Sequence, residues 1–132
     1  MITIPIHDAD HATVRELHER MGHDYAFPDL SNSLVVVKQG VVDERGKLVG
    51  AAILRLQAET YLWLDMSLPV DVRYGVVLAL FRAVVREAWA LGIDSLVAYL
   101  PPNLPKTFKN LLTKLGWASI RAGWESWTKD IN

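Results

Sequence analysis

A strand that runs through a turn at Pro69 into a long helix is the feature that most constrains the fold of this chain. Residues 61–67 alternate between a wholly apolar face and a face of polar and aromatic side chains, which predicts a strand. Apolar residues then recur at helical spacing from about residue 71 to residue 91, and Gly92 ends the helix. A short strand over residues 95–100 follows. This order predicts a right-handed crossover between two parallel strands.

The predicted helix has an apolar face and an exposed N-terminus. Its buried stripe is predicted to consist of Val77, Leu80, Phe81, Val84, Ala88 and Leu91. The first N–H groups of a helix have no intrahelical acceptor, and the helix dipole places partial positive charge there. The turn at Pro69 therefore predicts a site that can bind an anion such as a phosphate.

The chain before this unit begins with a strand and a helix. Alternating isoleucines predict a strand over residues 2–6. Asp8 or Asp10 can cap the helix that follows, and Gly22 ends it. The core face of this helix is predicted to consist of Val14, Leu17 and Met21.

A hairpin occupies the middle of the chain. Residues 34–42 and 48–56 are rich in β-branched and apolar side chains and flank a polar turn. The strand at 61–67 is expected to extend this hairpin to a three-stranded antiparallel meander. Together with the parallel crossover, the meander predicts an α/β fold with one mixed sheet, flanked by about three helices.

The end of the chain predicts one more helix and a pair of strands. Asn103 can cap the helix, with Pro105 in its first turn. The buried stripe of this helix is predicted to consist of Phe108, Leu111, Leu112 and Leu115. Residues 117–120 and 124–129 are expected to form a terminal strand pair. The sequence shows no repeat or linker, so a single domain over residues 1–132 is expected.

Composition narrows the classes of function. The net charge is −1 and the pI is near 6.4, so neither a nucleic-acid partner nor a membrane partner is expected. Cysteine is absent, which excludes disulfides and thiol catalysis. The N-terminus lacks the basic and apolar regions of a signal peptide, and a cytoplasmic protein is expected.

The order of elements and two local motifs resemble the GCN5-related N-acetyltransferase family. Pro69 and Gly75 match the Pro and the first Gly of the family's Arg/Gln-x-x-Gly-x-Gly/Ala turn. Asn103, followed by Phe108 and then by Lys114-Leu115-Gly116-Trp117, is similar to the family's Asn…Phe-Tyr-x-Lys-Leu-Gly-Phe segment. The resemblance covers nearly the whole chain and implies an acetyltransferase fold that binds acetyl-coenzyme A.

The resemblance implies that acetyl-coenzyme A binds where the central strand meets the helix. The implied cofactor-binding residues are Met66, Ser67, Leu68, Val72, Arg73, Tyr74, Gly75, Val76, Val77 and Asn103. Main-chain N–H groups from Arg73 to Val77 would hold the pyrophosphate, and those near Ser67 and Leu68 would polarise the thioester carbonyl.

Two residues of this turn depart from the family's pattern. Val72 stands where a basic residue is expected, and Arg73 is displaced from that place by one position. Val77 replaces the second small residue, and a β-branched side chain there is expected to crowd a pyrophosphate. A scaffold that has lost coenzyme binding is therefore the alternative to a binding site.

Asp65 is the candidate general base. The resemblance implies an acidic residue on this strand that accepts the proton of an amine, and aromatic neighbours could raise the pKa of Asp65 by desolvation. The alternative is an ordinary aspartate at a strand end that forms a cap or a salt bridge. Glu59, in the preceding turn, is a weaker candidate for the base.

The acid that protonates the departing thiolate has no evident counterpart in this chain. Leu112 occupies the place of the tyrosine that serves as this acid in many family members. Its spacing with Phe108 and Leu115 marks it as a core residue.

The loop after the first helix is the candidate substrate-binding segment. The resemblance implies that His23, Asp24 and Tyr25 line the acceptor cleft, and a solvated loop is an equally good interpretation. His7 and His11 have the i,i+4 spacing of a metal site. They lack a partner motif, so surface histidines are the better account and no metal is expected.

Three functions follow from these observations. The first is an acyl-coenzyme A dependent N-acyltransferase that acts on an amine-bearing substrate, with a monomer and a homodimer as the alternative states. The second is a non-catalytic binding or interaction protein of the same fold. The third is an enzyme of this fold that uses a different activated donor. Affinity for coenzyme A separates the first from the second, and turnover with amines separates the first from the third.

Overall fold

The computed structural model describes residues 1–121 and 123–131, and the chain divides into two compact units, Met1–Tyr99 and Leu100–Asn132. The elements of the first unit are β1 (Ile2–Pro5), a 3-10 turn (Asp8–Asp10), α1 (His11–Met21), β2 (Val35–Val42), β3 (Leu48–Arg55), β4 (Ala58–Glu59), α2 (Val70–Ala90) and β5 (Leu96–Val97). The second unit contains α3 (Lys106–Lys114). The chain is therefore an α+β protein with antiparallel and parallel strands. None of the described helices is both long enough and apolar enough to cross a bilayer.

The hairpin predicted in the middle of the chain is confirmed. β2 and β3 pair antiparallel, and Asp43 closes their turn by accepting the N–H groups of Arg45 and Lys47 at 2.9 Å each. Gly46 has φ 75°, a left-handed conformation that favours glycine. The third strand of this sheet is β1, which pairs antiparallel with β2. The predicted meander with residues 61–67 is therefore wrong.

The parallel crossover forms, but at a different place. β4 pairs parallel with β5, with Ala58 opposite Leu96 and Glu59 opposite Val97, and Thr60 N–H extends the pairing to the Val97 carbonyl at 2.7 Å. These two strands form a sheet of their own, so the predicted single mixed sheet is wrong. α2 connects the two parallel strands, as predicted.

The predicted strand at residues 61–67 is replaced by irregular chain and a turn. Asp65 Oδ1 accepts the Ser67 N–H at 2.9 Å and the Ser67 hydroxyl at 2.6 Å, and Leu68 N–H donates to the Asp65 carbonyl at 3.3 Å. Side chains of this kind offer the backbone a local alternative to a sheet ladder. The alternation of apolar residues did not reveal that these side-chain hydrogen bonds compete with strand formation.

The core of the first unit lies between α1 and the antiparallel sheet. Its buried residues are Ile6, Val14, Leu30 and Leu48, and the half-buried Ile4, Leu17, Phe27, Val42 and Ile53 surround them. The prediction for Val14 and Leu17 is confirmed. Met21 is exposed, because it is the last helical residue before Gly22, which ends α1 with φ 68°.

α2 matches its predicted bounds within one residue, but less of it is buried than predicted. Val77 and Ala88 are buried, whereas Leu80, Val84 and Leu91 are exposed. β4 and β5 have two residues each and span only about 7 Å. A helix of 21 residues is about 32 Å long, so these strands cannot cover its apolar stripe.

An ion pair joins distant segments of the first unit. Arg55 Nη2 donates to both carboxylate oxygens of Asp94, at 2.6 and 2.7 Å, and Asn32 Nδ2 donates to the same carboxylate at 3.1 Å. The end of β3, the loop before β2 and the turn after α2 therefore meet at Asp94. The Arg55 hydrogen bond is the main reason that the pKa of Asp94 lies below its ordinary value, and the Asn32 hydrogen bond adds to it.

We expect this ion pair to make the folded state sensitive to acid. The folded-state pKa of Asp94 is lowered, so its contribution is present above the unfolded-state pKa and is lost as pH falls through the folded-state value. Urea unfolding from about pH 6 to about pH 3 should show a smaller acid-induced loss of stability in Asp94→Asn than in the wild type. Glu44→Gln, in the exposed hairpin turn, is the matched control and should keep the wild-type slope. A slope in Asp94→Asn equal to that of the wild type would contradict this prediction.

The second unit is organised by α3. Leu112 is buried, and Phe108, Leu111 and Leu115 are half-buried, which confirms the predicted stripe. The predicted cap is wrong, because the residue before the helix is Pro105 and not Asn103.

The predicted terminal strand pair is also wrong. In the described ranges 117–121 and 123–131, no strand is present. A local turn forms instead, in which Trp124 N–H donates to the Arg121 carbonyl at 3.0 Å. The Arg121 guanidinium lies 5.7 Å from the centroid of the Trp124 ring.

Candidate functional site

The N-terminus of α2 is the candidate anion site. α2 begins at Val70, and its N-cap residue is Pro69, which forms no side-chain hydrogen bond. The N–H groups of Val70, Asp71 and Val72 therefore have no intrahelical acceptor. Arg73 N–H donates to the Pro69 carbonyl at 2.9 Å. The free donors thus lie N-terminal to the predicted set at Arg73 to Val77.

Charged side chains of both signs flank these donors. Asp71 lies in the first turn of α2, where its carboxylate stabilises the helix dipole but repels an incoming anion. Arg73 donates from Nη1 to the Met66 sulfur at 3.5 Å. Its Nε is buried and has no hydrogen-bond acceptor in the described part of the chain. Arg73 is therefore the cation at this helix end, and its Nε–H group is available as a hydrogen-bond donor.

The remaining residues of the predicted cofactor set lie in different surroundings. Ser67 and Leu68 form the turn before α2, and both of their N–H groups donate to Asp65. Tyr74 is exposed, and Val76 is half-buried. A Cβ atom added at Gly75 would meet no atom within 4 Å, so no close approach requires glycine there.

Val77 does not share the surface at the helix end, and Asn103 is described with its own unit. Val77 is only 2% exposed, so its side chain packs inward and the crowding predicted from its β-branched shape does not arise. Asn103 belongs to the second unit. The structure therefore brings together Met66, Val72 and Arg73 from the predicted set, through the turn that leads into α2.

Asp65 is exposed, and its carboxylate accepts hydrogen bonds within the turn before α2. Hydrogen bonds from the Ser67 hydroxyl and then from the Ser67 N–H lower the pKa of Asp65. The prediction of a raised pKa is wrong, because the two hydrogen bonds that stabilise the charged form outweigh the effect of desolvation on this exposed carboxylate. An ionised carboxylate can accept a proton, but a lowered pKa makes it a weak base.

The predicted substrate loop is attached to α1. His18 Nε2 lies 3.0 Å from the Tyr25 carbonyl, and the two rings meet edge to face with their centroids 4.9 Å apart. The ring of His23 stacks on Tyr25 at 5.4 Å, and Asp24 is exposed. His23 and Tyr25 therefore form an aromatic surface with His18, a contact that the sequence did not predict.

The remaining histidines take part in local contacts at the start of α1. His7 N–H donates to Asp10 Oδ2 at 2.8 Å, and His11 Nε2 lies 3.7 Å from Asp8 Oδ1. Among the described residues, no group of three or more histidine, aspartate or glutamate side chains could hold a metal ion.

A second cluster of polar and aromatic side chains begins at the last residue of β4. Tyr61 hydroxyl donates to Glu59 Oε1 at 2.7 Å, and the rings of Tyr61 and Trp63 stack with centroids 5.8 Å apart and planes 11° apart. The pKa of Tyr61 is raised, first by the hydrogen bond to Glu59 and then by the charge of that carboxylate. Sequence reasoning assigned Tyr61 and Trp63 to one face of a strand and Glu59 to the preceding turn, and it missed the cluster. The i,i+2 spacing of the three side chains is the signal that could have found it.

Comparisons with known proteins leave the family assignment open. The chain matches no protein-family model, no curated protein and no solved structure.

Proposed function

We propose that the chain is an acyl-coenzyme A dependent N-acyltransferase with a fold like that of the GCN5-related acetyltransferases. One observation carries the proposal: a parallel crossover, β4–α2–β5, in which free N–H groups begin α2 beside Arg73, whose Nε has no acceptor among the described residues. Ligands of α/β units favour the carboxyl ends of parallel strands, where β4 leads toward α2. The pyrophosphate of the coenzyme would accept hydrogen bonds from Val70, Asp71 and Val72 and pair with Arg73.

The reaction requires a donor, an amine and a proton acceptor. The amine nitrogen attacks the thioester carbonyl carbon, an amide bond forms, the C–S bond breaks, and the coenzyme thiolate gains a proton. Asp65 is the proposed acceptor of the amine proton, directly or through water. The N–H groups of Ser67 and Leu68 can polarise the carbonyl only if they release Asp65, to which both donate in this structure. A leucine at position 112 has no proton to donate, so solvent, the substrate or another side chain would protonate the thiolate.

A non-catalytic coenzyme-binding or interaction protein is the second candidate. Two features favour it. The lowered pKa of Asp65 makes this carboxylate a weak base, and the leucine at position 112 has no titratable group. Calorimetric titration with coenzyme A and a turnover assay with a panel of amines separate the two candidates. Binding with turnover supports the enzyme, and binding without turnover supports the second candidate.

Removal of the acidic charge at the helix end tests the coenzyme site directly. We expect Asp71→Asn to tighten coenzyme A binding by about two- to fivefold at low ionic strength, because the carboxylate repels the pyrophosphate. Titration calorimetry with coenzyme A measures this change. Glu87→Gln removes the same charge from the last part of the same helix and should leave the affinity unchanged. Equal affinities of the two variants would place the coenzyme site elsewhere. No saturable binding by the wild type would contradict the proposal of a coenzyme site.

A further inference from the structure

Glu59, Tyr61 and Trp63 form an exposed cluster, here called the aromatic platform. Trp63 is 81% exposed and Tyr61 is 63% exposed, although large aromatic side chains gain free energy from burial. The hydrogen bond to Glu59 fixes the Tyr61 hydroxyl at 2.7 Å, and the stack fixes Trp63 against Tyr61. The platform therefore presents an ordered aromatic face to solvent.

The charged residues in the stretch of chain that carries the platform have one sign. Residues 56–70 contain Glu59 and Asp65 and no lysine, arginine or histidine. The pKa of Tyr61 is raised by the hydrogen bond to Glu59, so the phenol stays protonated and its hydroxyl donates to that side chain. The face of an aromatic ring also carries partial negative charge. A cation is therefore favoured over an anion at the rings, whereas the basic side chain of Arg73 lies at the start of α2, against Met66.

The spacing of the rings determines where a ligand can lie. A group held between the rings would need two contacts of about 3.5–4.0 Å, or at least about 7 Å between the ring planes. The centroids of Tyr61 and Trp63 are 5.8 Å apart, so nothing fits between them. A ligand must lie on the outer face of the stack, and the indole of Trp63 offers the strongest cation–π partner.

We propose that the aromatic platform is a binding site for an organic cation, with a quaternary or alkylated ammonium group over the ring of Trp63. The Glu59 carboxylate adds negative charge on the Tyr61 side of the stack, and the stack positions Trp63 against Tyr61. The proposal concerns binding alone and stands whether or not the chain transfers acyl groups. Each of its parts is an exposed side chain, so the site can be removed without disturbing the core.

Choline and its uncharged isostere 3,3-dimethyl-1-butanol, in which carbon replaces the quaternary nitrogen, test the charge requirement. Titration followed by the NMR signal of the Trp63 indole N–H, with no coenzyme present, gives both affinities. We expect choline to bind in the millimolar range and the isostere to bind at least about fivefold more weakly. Added salt should weaken the binding of choline, because the charges are exposed to solvent. Equal affinities for the two ligands, or no saturable shift with choline, would overturn the proposal.

Three variants test which side chains form the site, with ligand-observed NMR as the readout where Trp63 is absent. Trp63→Leu should abolish choline binding, and Glu59→Gln should weaken it by about two- to fivefold. Trp89→Leu is the matched control, because Trp89 is an equally exposed tryptophan at 80%, and this variant should bind as the wild type does. Circular dichroism of the three variants should match that of the wild type, which checks that they fold. Unchanged binding in Trp63→Leu, or an equal loss in Trp89→Leu, would show that choline binds elsewhere.

Discussion

Leu48→Ala is expected to lower the free energy of unfolding by about 2–5 kcal/mol. Leu48 is buried against Ile6, Val14 and Leu30 in the core of the first unit. Truncation removes apolar contacts and leaves a cavity, which β3 cannot close because its backbone is fixed in the ladder with β2. Total stabilities are only about 5–15 kcal/mol, so this change removes a large fraction. Urea unfolding followed by circular dichroism measures the loss as a lower midpoint.

The matched control for this core variant lies on the same strand. Leu54 is 60% exposed, and Leu54→Ala deletes the same atoms from a position that solvent already reaches. Its effect should stay within about 0.5 kcal/mol. Similar losses in both variants would show that β3 does not bury the face described here.

Asp65→Asn is the second variant for which a large effect is expected, and it rests on the proposed acyltransferase. Loss of a general base should lower kcat by about 10²–10⁴-fold. Asparagine keeps an oxygen that can accept the Ser67 hydrogen bonds, so the turn and the affinity for coenzyme A should persist. Steady-state kinetics and coenzyme titration on the same preparation measure the two effects separately.

The pH dependence gives this prediction a second test. The pKa of Asp65 is lowered, with the Ser67 hydroxyl as the largest cause, so wild-type turnover should fall only at pH values below the ordinary range of an aspartate. Ser67→Ala removes that hydroxyl, and the acidic limb of the rate profile should move to higher pH. A kcat of Asp65→Asn within about threefold of the wild type, with the same profile in Ser67→Ala, would assign Asp65 to the turn alone.

Elements with strong local signals could be predicted from the sequence. Pro69 and Gly92 bound α2 because proline favours the start of a helix and glycine ends one in the left-handed conformation, as Gly92 does with φ 76°. The hairpin turn follows from Asp43 and Gly46 in the same way. These features depend on residues close together in the chain, and no distant contact is needed to define them.

Features that depend on distant partners could not be predicted. Gly40 shows no special signal in the sequence, yet a Cβ atom there would lie 2.6 Å from Ile6 Cδ1 and 2.7 Å from Leu48 Cδ1. A Cβ atom at that point of β2 would therefore force the side chains of Ile6 and Leu48 to move. The ion pair between Arg55 and Asp94 likewise joins residues from opposite ends of the α2 crossover.

At the candidate site, too, local features could be predicted from the sequence and features that depend on distant contacts could not. The sequence by itself determined that a helix N-terminus follows the turn at Pro69, and that Asp65 and Arg73 lie on either side of it. Only the tertiary structure decided that Val77 faces the core and that β1 completes the sheet in place of residues 61–67. Periodicity records which side chains share a face, whereas strand partners and burial depend on contacts between segments far apart in the chain.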